Sequence, residues 1–219
     1  MNHLLPHADR ERLDRLIAES ERRTGAEIVL AVIRRCDLYP EIPWKAFALG
    51  ASVTGLVIFV VYASTLFWIS AAIVLLAVAA VLAGGSVLAL LAMLEPRFAR
   101  LFLSRHRAKE EVRQYAESLF LSRELFHTAE RKGVLLLVGL FERQVLLLPD
   151  KGVRDRLNGH ATQRVIRPMT ELLRANEVGR AMEEGLAQIT RILEPGVSET
   201  PADAGANELP NTIIEEEGV

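Results

Sequence analysis

Between Ala46 and Leu94 the chain carries no Asp, Glu, Lys, Arg or His, a run of 49 residues between densely charged flanks. A globular core does not read this way, because surface helices show polar residues every turn or two. As one helix the run would measure roughly 73 Å, against a hydrocarbon core of about 30 Å. Two spans of about 20–24 residues absorb it, so the sequence predicts a transmembrane helical hairpin over 46–94. The expected turn lies near Tyr62–Ile69, where Tyr62, Ser64, Thr65 and Trp68 form an interfacial cap. Gly84-Gly85-Ser86 is a second break point, but it leaves very unequal spans. The run begins 45 residues in, behind an amphipathic helix and a strand, which is too late for a signal peptide.

Orientation follows from the flanks. Arg34, Arg35 and Lys45 precede the run, and Arg97, Arg100, Arg105, Arg107 and Lys109 follow it. Basic residues stay inside, which predicts a two-pass protein of the cell inner membrane with both termini cytoplasmic. Lys45, Trp68, Arg97 and Arg100 are the expected membrane-interface residues. The basic stretch Arg97–Lys109 suits anionic headgroups. A formal net charge of −2 gives no reason to expect nucleic acid as a partner. The lipid bilayer and a membrane-protein partner are expected instead.

The charged remainder reads as an α/β domain. Leu13, Leu16 and Ile17 form an apolar stripe on a helix from about Asp9, a plausible N-cap, to Arg23, and Gly25 suits a left-handed C-cap. Ala26–Ile33 reads as a buried strand. A helix is expected over Ala108–Ala129, then two strands, Gly133–Val138 and Gln144–Leu148, joined by Gly139–Arg143. Helices near Thr162–Arg174 and Val178–Leu193 follow. A lone strand before the hairpin needs partners, and the other strands lie beyond residue 132. Both flanks therefore share one side of the membrane. The expected organisation is 1–45 and 95–196 as two parts of one soluble domain, split by the hairpin at 46–94. The acidic, Pro-containing segment 197–219 is expected to be a disordered tail that contributes little stability.

These elements and their connecting motifs resemble the TPM domain family. Thr24-Gly25-Ala26-Glu27-Ile28 opens the first strand, and Leu119-Phe120 precedes His127-Thr128 and Lys132–Val138. Phe141-Glu142-Arg143 and Leu148-Pro149-Asp150-Lys151-Gly152 bracket the third strand. Glu184-Gly185-Leu186 and Asn207-Glu208-Leu209-Pro210 also fit. The likeness covers about 9–45 and 108–195, as in the bacterial subtype whose domain is split by a membrane hairpin. It implies a three-layer α/β/α sandwich around a short mixed sheet. It also implies a divalent-metal site and, in some members, metal-dependent acid phosphatase activity, while other members serve as accessory factors for membrane complexes. Whether this chain is an enzyme is therefore left open.

No nucleophile elbow, P-loop, metal-ligand His motif or Cys pair is found, and Cys36 is the only cysteine. Following the resemblance, Glu142 and Arg143 occupy the hairpin loop where relatives carry an acidic–basic pair. Asp150 stands at the turn after the next strand, and Asp155 about one helical turn later. Carboxylates of Asp150, Glu142 and Asp155 on adjoining loops would hold Ca²⁺ or Mg²⁺ through oxygen. Such an ion would neutralise a phosphate ester and position a water. The plain alternatives are a hairpin tip, turn chemistry and an early-helix acid, and Lys151, Arg154 and Arg156 crowd a cation site. Glu27, Arg143 and Thr128 complete the polar candidates. The leading expectation is a membrane-anchored accessory protein supporting a membrane-protein complex from the cytoplasmic face, and the alternative is a divalent-metal-dependent phosphatase. A channel is disfavoured because the spans contain no ionisable residue. Gly50, Gly55, Gly84, Gly85 and Ser86 are available to pack against a partner's helices.

Overall fold

A computed structural model describes residues 4–64, 70–128, 130–194 and 212–218. The chain divides into two compact units, one formed by Met1–Asp37 with Ala108–Val219 and the other by Leu38–Arg107.

The first unit is built on a four-stranded mixed sheet. Helix α1 (His7–Thr24) ends where Gly25 takes φ 65°, a left-handed turn that a side chain would strain. The Thr24 hydroxyl accepts from the Ala26 amide and the Glu21 carboxylate from the Ile28 amide, which sets the entry into strand β1 (Ile28–Arg35). Strands β2 (Val134–Gly139) and β3 (Gln144–Pro149) follow the second unit. The sheet order is β3-β2-β1-β4, with β2 parallel and β3 antiparallel to their inner neighbours. β1 and β2 therefore pair across the whole inserted segment. Residues 28–33 of β1 and 134–138 of β2 are apolar on both faces, as expected of strands covered on both sides.

The period-two alternation assigns those faces. Ile28, Leu30, Val32, Leu136 and Val138 meet α1, α6 (Gly159–Arg174) and α7 (Val178–Leu193). Val29, Ala31, Ile33, Leu135 and Leu137 meet Val112, Ala116 and Leu119 of α5 (Arg105–Ser122). The result is the three-layer α/β/α sandwich. α5 stops at Ser122 rather than Ala129. Leu125 turns back into the core with its carbonyl against Gly133, where a Cβ would lie 2.3 Å from it.

The expected disordered tail needs correction where it is described. Residues 195–211 lie outside the described residues, but Ile214–Gly218 form strand β4, parallel to β1. An acidic, apolar-poor segment adopts a strand here because β1 offers a free edge and basic side chains flank it. Its register pairs Ala31 with Ile214 and Arg35 with Gly218.

The second unit consists of α2 (Glu41–Ser64), α3 (Ala71–Leu94), α4 (Pro96–Ala99) and a 3₁₀ turn at Arg100–Phe102. α2 and α3 are each 24 residues long and apolar enough to cross a membrane, and only 11% and 6% of their most apolar stretches are buried. Leu56, Phe59, Leu75, Leu76 and Leu94 stand exposed, unlike residues of a soluble core helix. α2 ends at Ser64 and Ser70 caps α3, so the two helices bracket the expected turn. Thr65 and Trp68 of that turn lie outside the described residues. α3 runs unbroken through Gly84-Gly85-Ser86. These glycines serve the hairpin itself: a Cβ on Gly50 would lie 2.5 Å from the Gly84 carbonyl oxygen, and one on Gly85 2.7 Å from the Phe47 ring. Small residues let the two backbones approach closely.

Candidate functional site

The sheet has two ends, and the predicted site residues divide between them. At the end where β1 and β2 begin stand Glu27, Thr128, Arg131 and Asp150. The Glu27 carbonyl accepts from the Val134 amide, and its side chain is half-buried. The buried Thr128 hydroxyl accepts from the Lys132 amide, and the Thr128 carbonyl accepts from the Arg131 amide. This turn places Arg131 at φ 56° and aims its guanidinium at Asp150.

Asp150 is 3% exposed and fully engaged. Arg131 Nε donates to Oδ2 at 2.7 Å and Nη2 to Oδ1 at 3.1 Å, a bidentate fork. The Lys151 amide donates to Oδ1 at 2.7 Å. Burial pushes the carboxyl up, but the Arg131 hydrogen bonds, the Lys151 amide and the charges of Arg131 and Arg154 outweigh it. The net effect holds Asp150 below the usual carboxylate range. The Asp150 amide also donates to the Gly133 carbonyl, and the Gly152 amide to the Arg131 carbonyl. Gly152 is required there, since a Cβ would lie 2.4 Å from the Glu130 carbonyl oxygen. Asp150 is thus the centre of a clamp that ties the β3 exit to the β2 entry.

Glu142 lies at the other end, where β1 and β2 finish. It is buried rather than an exposed hairpin tip, and its Oε1 accepts from the Cys36 amide at 2.9 Å. Gly139 makes room for the fold-back, because a Cβ there would sit 2.8 Å from Glu142 Oε2. Burial, with the charge and hydrogen bond of Glu142 and the charges of Glu111 and Asp37, drives the Cys36 thiol far above its usual value. Arg143, at φ 52°, is exposed, and the Arg35 guanidinium lies 4.7 Å from the Phe141 ring centroid. The acidic–basic pair therefore faces in two directions.

The structure does not bring together the carboxylates proposed as a metal set. Six residues of β3 separate Glu142 from Asp150, a distance on the order of 20 Å. Asp155 is exposed in the turn before α6, where its carbonyl accepts from Asn158. A cation at Asp150 would have to displace Arg131. Among the described residues, no three His, Cys, Asp or Glu side chains are grouped to hold an ion. Local reading could not see this. Residues close in sequence and flanking one strand sit at opposite ends of it, and the Arg131 partner comes from 19 positions away.

The interfacial candidates divide similarly. Lys45 lies within the first turns of α2 and donates to the Phe102 carbonyl at 3.2 Å. Arg97 is exposed, and Arg100 is half-buried at the start of the 3₁₀ turn. Trp68 lies outside the described residues. Trp44, 73% exposed beside Lys45, is a further candidate of this kind that was not among the expected interface residues. Its position one residue before a lysine at the edge of the uncharged run was the available signal.

Residues 99–192 match the family model of the TPM domain. The match takes in β2, β3 and the helices around them and leaves β1 to the segment before the insertion. Among solved structures, the chain is similar to the BA42 protein of the psychrophilic bacterium Bizionia argentinensis. The TM-score is 0.57 at 13% identity, covering 98% of this chain and 97% of that one. At that identity the likeness concerns the fold. No curated protein matches the chain.

Proposed function

We propose, from the TPM domain match over residues 99–192, that this chain is a membrane-anchored accessory protein whose α/β unit supports a membrane-protein complex from the cytoplasmic face. One observation carries the reading. β1 and β2 pair in parallel although 98 residues separate Arg35 from Val134, and the exposed apolar helices α2 and α3 lie in that interval. A sheet cannot form across a bilayer. Both ends of the inserted unit therefore return to one side, and the number of crossings is even. Lys45, Arg97, Arg100, Arg105 and Arg107 border the apolar helices, and this basic flank supports a cytoplasmic position for that side.

The rest of the site is consistent with a scaffold. Asp150 stabilises a turn through Arg131, and Glu142 stabilises the end of β1. The separation of these two carboxylates argues against the phosphatase reading built on them. Reporters fused to each terminus test the topology. Both are expected to report a cytoplasmic position, whereas opposite signals would refute the hairpin. For the accessory role, site-specific photo-crosslinking in cells from exposed positions of α2 and α3, such as Phe59 and Leu75, should trap one defined membrane protein. A variant with the α/β unit truncated should lower the amount of that assembled complex. Crosslinks to lipid alone, with complex levels unchanged, would remove the role.

A further inference from the structure

Strand β4 is held differently from the other strands. None of its five residues is buried, whereas every residue of β2 is. Ile214 provides its contact with the core, and the rest of its attachment is polar. The Glu215 carboxylate accepts from the Leu4 amide at 2.7 Å and pairs with Arg10 at 3.4 Å. Glu216 accepts from the Tyr115 hydroxyl and pairs with Arg123 at 3.5 Å. Glu217 pairs with Arg34 at 2.9 Å, and the Ile213 amide donates to Asp14. Beside Glu216 opens a cleft of about 400 Å³ lined by Tyr115, Ser118, Leu119, Ser122 and Arg123. Three successive carboxylates thus meet three arginines contributed by α1, β1 and the end of α5.

The site also reads the residue after the glutamates. Gly218 takes φ 82°, and a Cβ there would lie 1.6 Å from the Arg35 carbonyl oxygen. Any side chain at this position would force the strand off β1. The groove therefore specifies a pattern: an apolar residue, three acids and a glycine, extended and parallel to β1.

We propose that the β1 edge, with Arg10, Arg34, Tyr115 and Arg123, is a docking groove for an extended acidic segment of a partner protein. The chain's own Ile214–Gly218 fills it as a displaceable competitor. The groove combines a strand edge, which supplies backbone hydrogen bonds, with a register of basic side chains that supplies selectivity. The occupant is suited to exchange. The Glu216–Arg123 and Glu217–Arg34 pairs are about half-exposed, hence weak and salt-sensitive, and only Glu215–Arg10 is largely buried. A strand with little buried apolar area belongs to the least stable parts of a fold. Ile214 follows Glu194 by twenty positions, so the segment competes as an intramolecular ligand whose return costs loop closure rather than bimolecular association.

The test uses the full-length protein and a fluorescent peptide of residues 211–219. Two full-length variants free the groove by different means: Gly218→Val sterically, and the triple change Glu215→Ala, Glu216→Ala, Glu217→Ala by removing charge. Both are expected to bind the peptide by fluorescence anisotropy at least tenfold more tightly than the wild type does. The same peptide carrying Gly218→Val should bind at least tenfold more weakly than the native peptide. Equal binding by wild type and variants, or no binding by any of them, would overturn the proposal. Hydrogen exchange on the wild-type protein decides the matter should either variant fail to fold. Amides of Ile214–Gly218 are expected to exchange at least a hundredfold faster than those of β2, and equal protection of the two strands would refute a displaceable β4.

Discussion

Asp150→Ala distinguishes a clamp from a metal ligand. The substitution removes a carboxylate that accepts three hydrogen bonds, two from Arg131 and one from the Lys151 amide. Breaking a fully buried ion pair costs about 3–5 kcal/mol, and an exposed pair contributes about 0–1 kcal/mol. Asp150 lies at the buried extreme with a side chain 4% exposed, but that of Arg131 is 47% exposed and regains water when released. The expected loss is therefore about 2 kcal/mol, between those limits. For a chain of this size each kcal/mol lowers the melting temperature by about 2–4 °C, which predicts a fall of about 4–8 °C.

The pH dependence gives the same test a sign. The Asp150 carboxyl is held below its usual value in the folded state. Its contribution is therefore complete above the unfolded value of about 3.9 and is lost as pH falls through the lower folded value. The gap between wild type and Asp150→Ala should be full at pH 6 and narrow as the pH falls below about 4. Circular dichroism melts of the full-length protein in detergent, with EDTA, Mg²⁺ or Ca²⁺, provide the assay. A clamp predicts the same gap in every buffer. A gap seen only when a divalent ion is present, or a loss below about 1 °C in all buffers, would refute the clamp.

Three further outcomes follow from the same geometry. Gly50→Leu places side-chain atoms where the Gly84 carbonyl lies, and overpacking of this kind costs about 1–3 kcal/mol; disulfide trapping between cysteines engineered on α2 and α3 should slow markedly, and unchanged trapping would contradict the close approach. Cys36, buried and facing Glu142, should resist Ellman's reagent at pH 8 until the protein unfolds, and prompt labelling of the native state would contradict its burial. Truncation after Glu194 removes β4 and bares the β1 edge, so the melting temperature should fall by several degrees and aggregation should rise. An unchanged melt would return Ile214–Gly218 to the status of a dispensable tail.

Much of this architecture was legible locally. The uncharged run announced two long apolar helices because charge is scarce in membrane spans and frequent on soluble surfaces. The C-cap at Gly25, the apolar strands and the turn at Pro149-Asp150 were readable from short-range conformational preferences. The resemblance in the motifs around Phe141-Glu142-Arg143 and Pro149-Asp150-Lys151-Gly152 pointed to the family now matched over residues 99–192. Even the pairing of β1 with β2 across the uncharged run followed from a lone strand's need for partners.

The chemical meaning of the acidic residues was decided by tertiary structure. Glu142 and Asp150 look like neighbours in sequence, yet β3 carries them to opposite ends of the sheet. Asp150 acquired Arg131 through a turn built on Thr128, and no local pattern announces a fork between residues 19 positions apart. The segment Ile214–Gly218 has the composition of a solvated tail. It becomes a strand because β1 presents an unsatisfied backbone edge and Arg10, Arg34 and Arg123 surround that edge with compensating charge. Local periodicity records which face of an element is apolar, whereas a carboxylate's role depends on the distant cation or amide that the fold brings to it.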